Sequence, residues 1–132
     1  MHHRLIRTVA SCAALLGMAA CGGGSGSTPT TPTPPAASGP TMTIDAGGVL
    51  SPKELVVSPG TRVRFTNQSS RARQVSSDPH PEHTDCPEIN QVGFLASGQT
   101  KETGNLNVVR TCGIHDHDDP SNANMRARIV VR

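Results

Sequence analysis

The chain has few aromatic side chains and almost no net charge. Trp and Tyr are absent and Phe occurs only twice, so aliphatic side chains must fill any core. The twelve basic residues include Arg4 and Arg7 near the N-terminus, and the ten that follow are matched by ten acidic residues. Nucleic-acid binding needs a basic surface and usually aromatic or Arg-lined platforms. The sequence therefore predicts no nucleic-acid partner.

The sequence also lacks a hydrophobic run long enough to cross a bilayer. A short basic region, Met1 to Arg7, precedes an apolar stretch that begins at Val9 and ends at Ala20. A transmembrane helix needs about 20 apolar residues, whereas a secretory signal needs roughly 7–15. Residues 1–20 are therefore predicted to be a signal peptide.

The end of this signal, Ala19-Ala20-Cys21-Gly22, resembles the bacterial lipobox, in which small residues precede a lipidated cysteine. The resemblance implies cleavage before Cys21 and a lipid anchor on its thiol, which attaches a protein to a membrane without a protein span. The predicted location is the bacterial cell envelope, on its periplasmic or extracellular side. The alternative is an ordinary secreted protein with a chance cysteine.

Residues 21–40 are predicted to be a tether. They are almost entirely Gly, Ser, Thr, Pro and Ala, which cannot bury enough apolar surface to offset the entropy of ordering. Residues 41–132 remain as one small domain. A domain of this size has a modest core and is often stabilised by a disulfide or a metal.

Hydrophobic periodicity predicts that this domain is all-β. Apolar residues alternate with polar ones at Met42 and Ile44 and again at Val63 and Phe65, whereas no segment has helical periodicity. Turn signals such as Pro59-Gly60 separate the segments. About seven short strands with intervening turns predict an antiparallel Greek-key β-sandwich.

The cysteines and histidines of the domain are confined to two short segments. The first segment runs from Asp78 to Cys86 and the second from Thr111 to His117. A strand is predicted from Leu106 to Cys112, so Cys112 lies at the end of that strand, within the second segment. Soft and borderline transition metals prefer cysteine and histidine ligands. The candidate ligands are His80 and His83 in the first segment and Cys112, His115 and His117 in the second.

The domain resembles the cupredoxins, the plastocyanin-like blue copper proteins, over residues 41–132. The general part of the resemblance runs from Leu50 to Asn67. Its specific part is the segment Cys112-Gly113-Ile114-His115, a Cys-x-x-His pair that such proteins place after the penultimate strand. Met125 lies just before the closing strand, where the family has its axial methionine.

The resemblance implies a copper site in which Cys112 is the thiolate ligand, His115 an imidazole ligand and Met125 the axial ligand. Two features depart from the family pattern. The position of the family's first histidine is occupied by Arg73, whose guanidinium cannot serve as an ordinary ligand. The interval from His115 to Met125 is also longer than usual. Because Arg73 stands where the family has a histidine, one of His80, His83 and His117 would have to supply the missing imidazole.

A disulfide between Cys86 and Cys112 is the alternative to a free thiolate. Paired cysteines are usual in small exported domains. The closed loop would stabilise the domain by roughly 3 kcal/mol in the chain-entropy model. The four histidines could then hold Cu(II) or Zn(II) through imidazoles alone, or they are solvated polar residues.

The predicted function is that of a membrane-anchored, copper-binding protein. The resemblance implies electron transfer or copper handling and a redox partner protein. The alternative is a non-catalytic, disulfide-closed β-sandwich that acts as a binding or structural module and has lost the copper site. No enzyme is predicted, because the sequence has no nucleophile elbow and no Glu beside a histidine pair on a helix. A metal enzyme with an all-histidine site is a third hypothesis.

Overall fold

The computed structural model describes residues 39–132, which form two packed β-sheets. The predicted signal peptide, Cys21 and nearly all of the predicted tether lie outside the described residues. Within the described part, no helix is long and apolar enough to cross a membrane.

Nine short strands and two 3-10 turns make up the domain. The turns are Ile89–Gln91 and Ala123–Met125. The strands are β1 (Thr41–Ile44), β2 (Leu50–Ser51), β3 (Glu54–Val57), β4 (Arg64–Asn67), β5 (Arg73–Ser77), β6 (Gly93–Leu95), β7 (Thr100–Glu102), β8 (Arg110–Asp116) and β9 (Ala127–Val131).

The strand order confirms the predicted β-sandwich but not a purely antiparallel one. One sheet has the order β2-β1-β4-β7 and the other β3-β9-β8-β5-β6. The pairs β1–β4 and β3–β9 are parallel, and the remaining pairs are antiparallel. Both parallel pairs join strands that are not consecutive in the sequence. The antiparallel prediction assumed that consecutive strands form hairpins, which cannot produce parallel pairs.

Aliphatic side chains fill the space between the sheets, as the composition requires. Phe65 is buried, whereas Phe94 is 57% exposed on β6. The largest aliphatic members of the core are Met42, Ile44, Leu50, Ile89, Leu95, Leu106, Ile114, Met125 and Ile129.

The strand predicted from Leu106 to Cys112 is shifted in the structure. It begins at Arg110 and continues to Asp116, because β9 pairs with it as far as Ile114 and β5 pairs with its last residues. Val108 and Val109, which gave the sequence its strand character, are 53% and 68% exposed. Cys112 therefore lies inside the strand and not at its end.

A disulfide joins Cys86, in the connection between β5 and β6, to Cys112 in β8. Both cysteines are fully buried and belong to the core. The bond closes a loop with a sequence separation of 26 residues. It ties the segment that carries two of the histidines to the strand that carries a third.

Replacement of both cysteines by alanine, C86A/C112A, is expected to lower the free energy of unfolding by about 3 kcal/mol, since an open chain has more unfolded conformations. Denaturant unfolding of the two proteins measures the difference. Addition of a reductant should destabilise the wild type and leave the double variant unchanged. Equal stability of the two proteins would contradict the prediction.

Candidate metal centre

The alternation of side chains along β8 separates Cys112 from His115. Cys112 pairs with Ile129 of β9 and faces the core, where it forms the disulfide. His115 is three residues further along an unbroken ladder and pairs with Ser76 of β5. Successive side chains of a strand point to opposite faces, so His115 projects from the outer face of the five-stranded sheet.

The connection between β5 and β6 covers this outer face and supplies two further histidines, His80 and His83. The backbone N–H of Asp78 donates a hydrogen bond of 3.1 Å to the carbonyl of Gly113. The carboxylate of Asp78 lies over the same glycine, so closely that a Cβ atom at this position would overlap with it. Glycine at position 113 thus gives the connection room to lie against β8.

Four imidazole rings meet where this connection crosses the strand. Their centroids are 4.9–5.5 Å apart in each of five contacting pairs, which His80, His83, His115 and His117 form. One ring nitrogen from each of His80, His83 and His115 lies within 4.8 Å of the others. The set ranges from exposed (His80) through half-buried (His83) to fully buried (His115). We name these four residues the histidine cluster.

His115 has one ring nitrogen bound and the other without a partner. Its Nδ1 is 2.7 Å from the Oδ1 atom of Asp78, so Nδ1–H donates to the carboxylate and Nε2 carries the lone pair. Nε2 is buried and finds no hydrogen-bond partner among the described residues. Buried polar atoms in native structures are nearly always paired, and exceptions call for an explanation. A metal ion bound to Nε2 would supply one.

His83 presents the same tautomer by an independent route. Its Nδ1 is 2.8 Å from the carbonyl oxygen of Ser77, and because a carbonyl only accepts, Nδ1–H must be the donor. Its Nε2 therefore carries a lone pair and accepts from Nδ1–H of His117 at 2.8 Å. Metal-bound histidines typically donate their second N–H to a carboxylate or a backbone carbonyl. His115 and His83 have one partner of each kind.

Burial lowers the pKa of His115 from its ordinary value of 6.5. The hydrogen bond to Asp78 and the charge of that carboxylate oppose the shift, and the neighbouring His83 and His80 add to it. The Asp78 carboxylate also has a guanidinium beside it, since Nη1 of Arg126 lies 3.7 Å from the same Oδ1 atom. The buried ring is therefore held neutral, which is the form that binds metals.

The lowered pKa of His115 predicts that the domain loses stability below about pH 6.5, because the unfolded chain then binds a proton that the folded protein resists. The contribution is present above the unfolded pKa and is lost as the pH falls through the folded one. Unfolding of the metal-free protein at a series of pH values measures this. In His115→Gln, which keeps a donor for Asp78 but does not titrate, the slope should become shallower. An unchanged slope would refute the assignment.

At the end of β8, an ion pair occupies the position to which the cupredoxin resemblance assigns metal ligands. Arg73, at the position of the family's first histidine, lies 3.2 Å from the carboxylate of Asp116, the last residue of β8. The backbone N–H of Gln74 donates to the same carboxylate at 3.1 Å. The Arg73 and Asp116 side chains are 13% and 4% exposed. Removal of one partner would leave a buried, uncompensated charge, so each of the two side chains depends on the other.

The structure thus divides the predicted ligands between two environments. His80, His83, His115 and His117 meet on the outer face. Cys112 is in the disulfide, the second of the two alternatives open from the sequence, and a thiol released from it would still face the core. Met125 is fully buried in the hydrophobic core. Its assignment as an axial ligand stays a prediction.

The domain is similar to solved structures at the level of the fold. A purple cupredoxin from Nitrosopumilus maritimus matches with a TM-score of 0.55 and 18% identity, covering 70% of this chain and 99% of that protein. Plastocyanin from Dryopteris crassirhizoma gives the same values. Amicyanin from Paracoccus versutus matches with a TM-score of 0.56 and 13% identity, over 73% of this chain and 83% of its own. The domain has the cupredoxin fold.

No protein-family model and no curated protein matches the sequence. At such low identity the likeness establishes the cupredoxin fold and does not assign metal ligands in this chain.

Two residues that support the histidine cluster, Ser77 and Asp78, were not singled out from the sequence. Asp78 was within the first ligand segment, but only the fold shows that its carboxylate reaches His115. Ser77 acts through its backbone carbonyl, which leaves no mark in the sequence.

Proposed function

We propose that this cupredoxin-fold domain binds a divalent transition metal ion through the histidine cluster. The observation that supports the proposal is the buried Nε2 atom of His115, which has no partner in the described part of the chain and lies beside the lone pair of His83. His80, His83 and His115 would hold the ion, which would replace the hydrogen bond that Nε2 of His83 accepts from His117 and leave the His117 ring as a fourth donor. The exposed ring of His80 can turn to close the spread of 4.8 Å between the nitrogens.

Copper(II) is the ion that this set should bind most tightly. Imidazole suits Cu, Zn, Fe and Ni, and affinities of divalent ions generally peak at Cu²⁺. A cluster without thiolate would give a weakly coloured imidazole complex in place of a blue copper site. Copper handling therefore agrees better with the ligand set than electron transfer to a redox partner, which the resemblance alone suggests.

Titration of residues 39–132, with the disulfide intact, is expected to show one equivalent of Cu(II) bound without an intense visible thiolate-to-copper band. Isothermal calorimetry measures the stoichiometry, and absorption and electron paramagnetic resonance report the ligands. His115→Ala and His83→Ala should each weaken binding at least tenfold, as loss of a ligand does.

C86A/C112A serves as the control for the thiolate. It should still give the nitrogen-ligand spectrum, because neither sulfur is a ligand in this proposal. An intense blue or green band in the wild type that disappears in C86A/C112A would assign copper to Cys112 and overturn the proposal. Absence of any binding would favour the second function, a disulfide-closed binding or structural module, which the buried Cys86–Cys112 bond supports.

We further propose that the domain is exported and anchored in the bacterial envelope by a lipid on Cys21. The lipobox-like sequence at the end of the predicted signal supports the anchor. The disulfide supports export, since such bonds persist in oxidising compartments. The predicted tether, residues 21–40, would hold the domain away from the membrane surface.

Replacement of the lipidation site, Cys21→Ser, is expected to move the full-length protein from the membrane fraction to the soluble envelope fraction, because the acyl chains supply the membrane affinity. Immunoblotting of fractionated bacterial cells measures the distribution. Cys12→Ser, within the predicted signal, is the matched control and should leave the protein in the membrane fraction. Equal membrane retention of Cys21→Ser and the wild type would exclude the anchor.

A further inference from the structure

His83 has a backbone conformation that non-glycine residues seldom adopt. Its φ angle is 54°, and among residues 39–132 it is the one non-glycine residue with a positive φ. Non-glycine residues in this left-handed region cost of order 1–3 kcal/mol and persist where the surroundings determine them strongly. Something near His83 must therefore hold it in place.

Two polar side chains contribute to that restraint, beside a hydrogen bond of 2.7 Å from the backbone N–H of His83 to the carbonyl of Pro79. The carbonyl of His83 accepts hydrogen bonds from Nδ2 of Asn90 at 2.8 Å and from Oγ of Ser77 at 3.0 Å. Oδ1 of Asn90 accepts from the backbone N–H of Ser77 at 2.8 Å. Together with the bond from the His83 ring to the Ser77 carbonyl, these contacts form a closed network of Ser77, Asn90 and His83.

The network connects the backbone of His83 to the direction of its imidazole. Ser77 is fully buried at the end of β5, so its backbone provides a fixed reference. Asn90 belongs to the 3-10 turn Ile89–Gln91, and its side chain links the Ser77 backbone to the His83 carbonyl. If the bridge were lost, the strained backbone could relax, and the ring would leave the Ser77 carbonyl that fixes its tautomer.

We propose that Asn90 is a positioning residue of the metal centre, which holds His83 with the Nε2 lone pair directed into the histidine cluster. The proposal rests on the metal-binding function proposed above. Asn90 would not touch the metal. It would act by preorganising one ligand, in the way that hydrogen-bond partners of metal-bound histidines usually do.

Replacement Asn90→Ala is expected to weaken Zn(II) binding by at least tenfold, the lower end of the effect that loss of such a partner usually has. Zn(II) is the probe because it is redox-inert and leaves the protein visible to NMR. Competition with a chromophoric chelator measures the affinity. Asn122→Ala is the matched control, since Asn122 caps the other 3-10 turn, where its side chain accepts a hydrogen bond from the backbone N–H of Asn124. Its affinity should equal that of the wild type.

A second measurement separates positioning from general destabilisation. Long-range ¹H–¹⁵N spectra of the metal-free protein report the tautomer of each ring, and His83 should be protonated at Nδ1 in the wild type and in Asn122→Ala. In Asn90→Ala its two nitrogens should average. If Asn90→Ala does not fold, Ser77→Ala, which removes the other donor to the His83 carbonyl, is measured in its place, with the same changes expected in smaller degree.

Wild-type affinity in Asn90→Ala would overturn the inference and leave the metal-binding proposal standing. Weaker binding with an unchanged, single His83 tautomer would also overturn it, because the loss would then arise elsewhere. If the wild type binds neither Zn(II) nor Cu(II), the metal-binding proposal fails. The positioning of His83 is then decided by the tautomer alone, and a single tautomer in Asn90→Ala refutes it.

Discussion

The two-residue period of β8 is the constraint on which the arrangement of this domain depends. It directs Cys112, Ile114 and Asp116 toward the core and His115 toward the outer face, and pairing with β9 on one side and β5 on the other fixes that register. A shift by one residue would turn the histidine toward the core and the cysteine toward the outer face. The disulfide, the ion pair at the end of the strand and the histidine cluster therefore follow from a single register.

The polar groups on the two faces of β8 are compensated to different degrees. On the inner face, Asp116 has the Arg73 guanidinium and the Gln74 N–H as partners. On the outer face, His115 is fully buried and has a partner at one ring nitrogen. A buried polar atom without a partner is costly. Nε of Arg73 is also buried without a partner among the described residues, but Asp116 compensates the charge of its guanidinium. Nε2 of His115 carries a lone pair and lies in a group of histidines, so a bound metal ion would satisfy it, and this is why we propose the metal there.

Much of the fold was predictable from the sequence, because local alternation reports the exposure of strand residues directly. The segment around Val63 and Phe65 formed the strand that its pattern predicted. The position of β8 was not predictable, since Val108 and Val109 resemble strand residues but lie exposed, and Gly113 resembles a break. Position 113 within the strand is a glycine because the Asp78 carboxylate leaves no room there for a side chain. This contact between distant segments cannot be recognised from a local pattern. The sequence predicted that the two histidine segments lie close together. It did not predict that Cys112 points away from the histidines, because that depends on the register of β8.

The same register explains why likeness to copper proteins of this fold does not carry their site to this chain. The cupredoxin fold determines where the strands end and which face of a sheet each residue occupies. It does not determine whether the residues at a strand end are metal ligands or an ion pair. Here Arg73 and Asp116 form an ion pair on the inner face at the end of β8. The four histidines meet on the outer face of the same sheet. Because the disulfide ties Cys86, three residues beyond His83, to Cys112, three residues before His115, the bond that removes the thiolate from metal chemistry also joins the two segments that bring the imidazoles together.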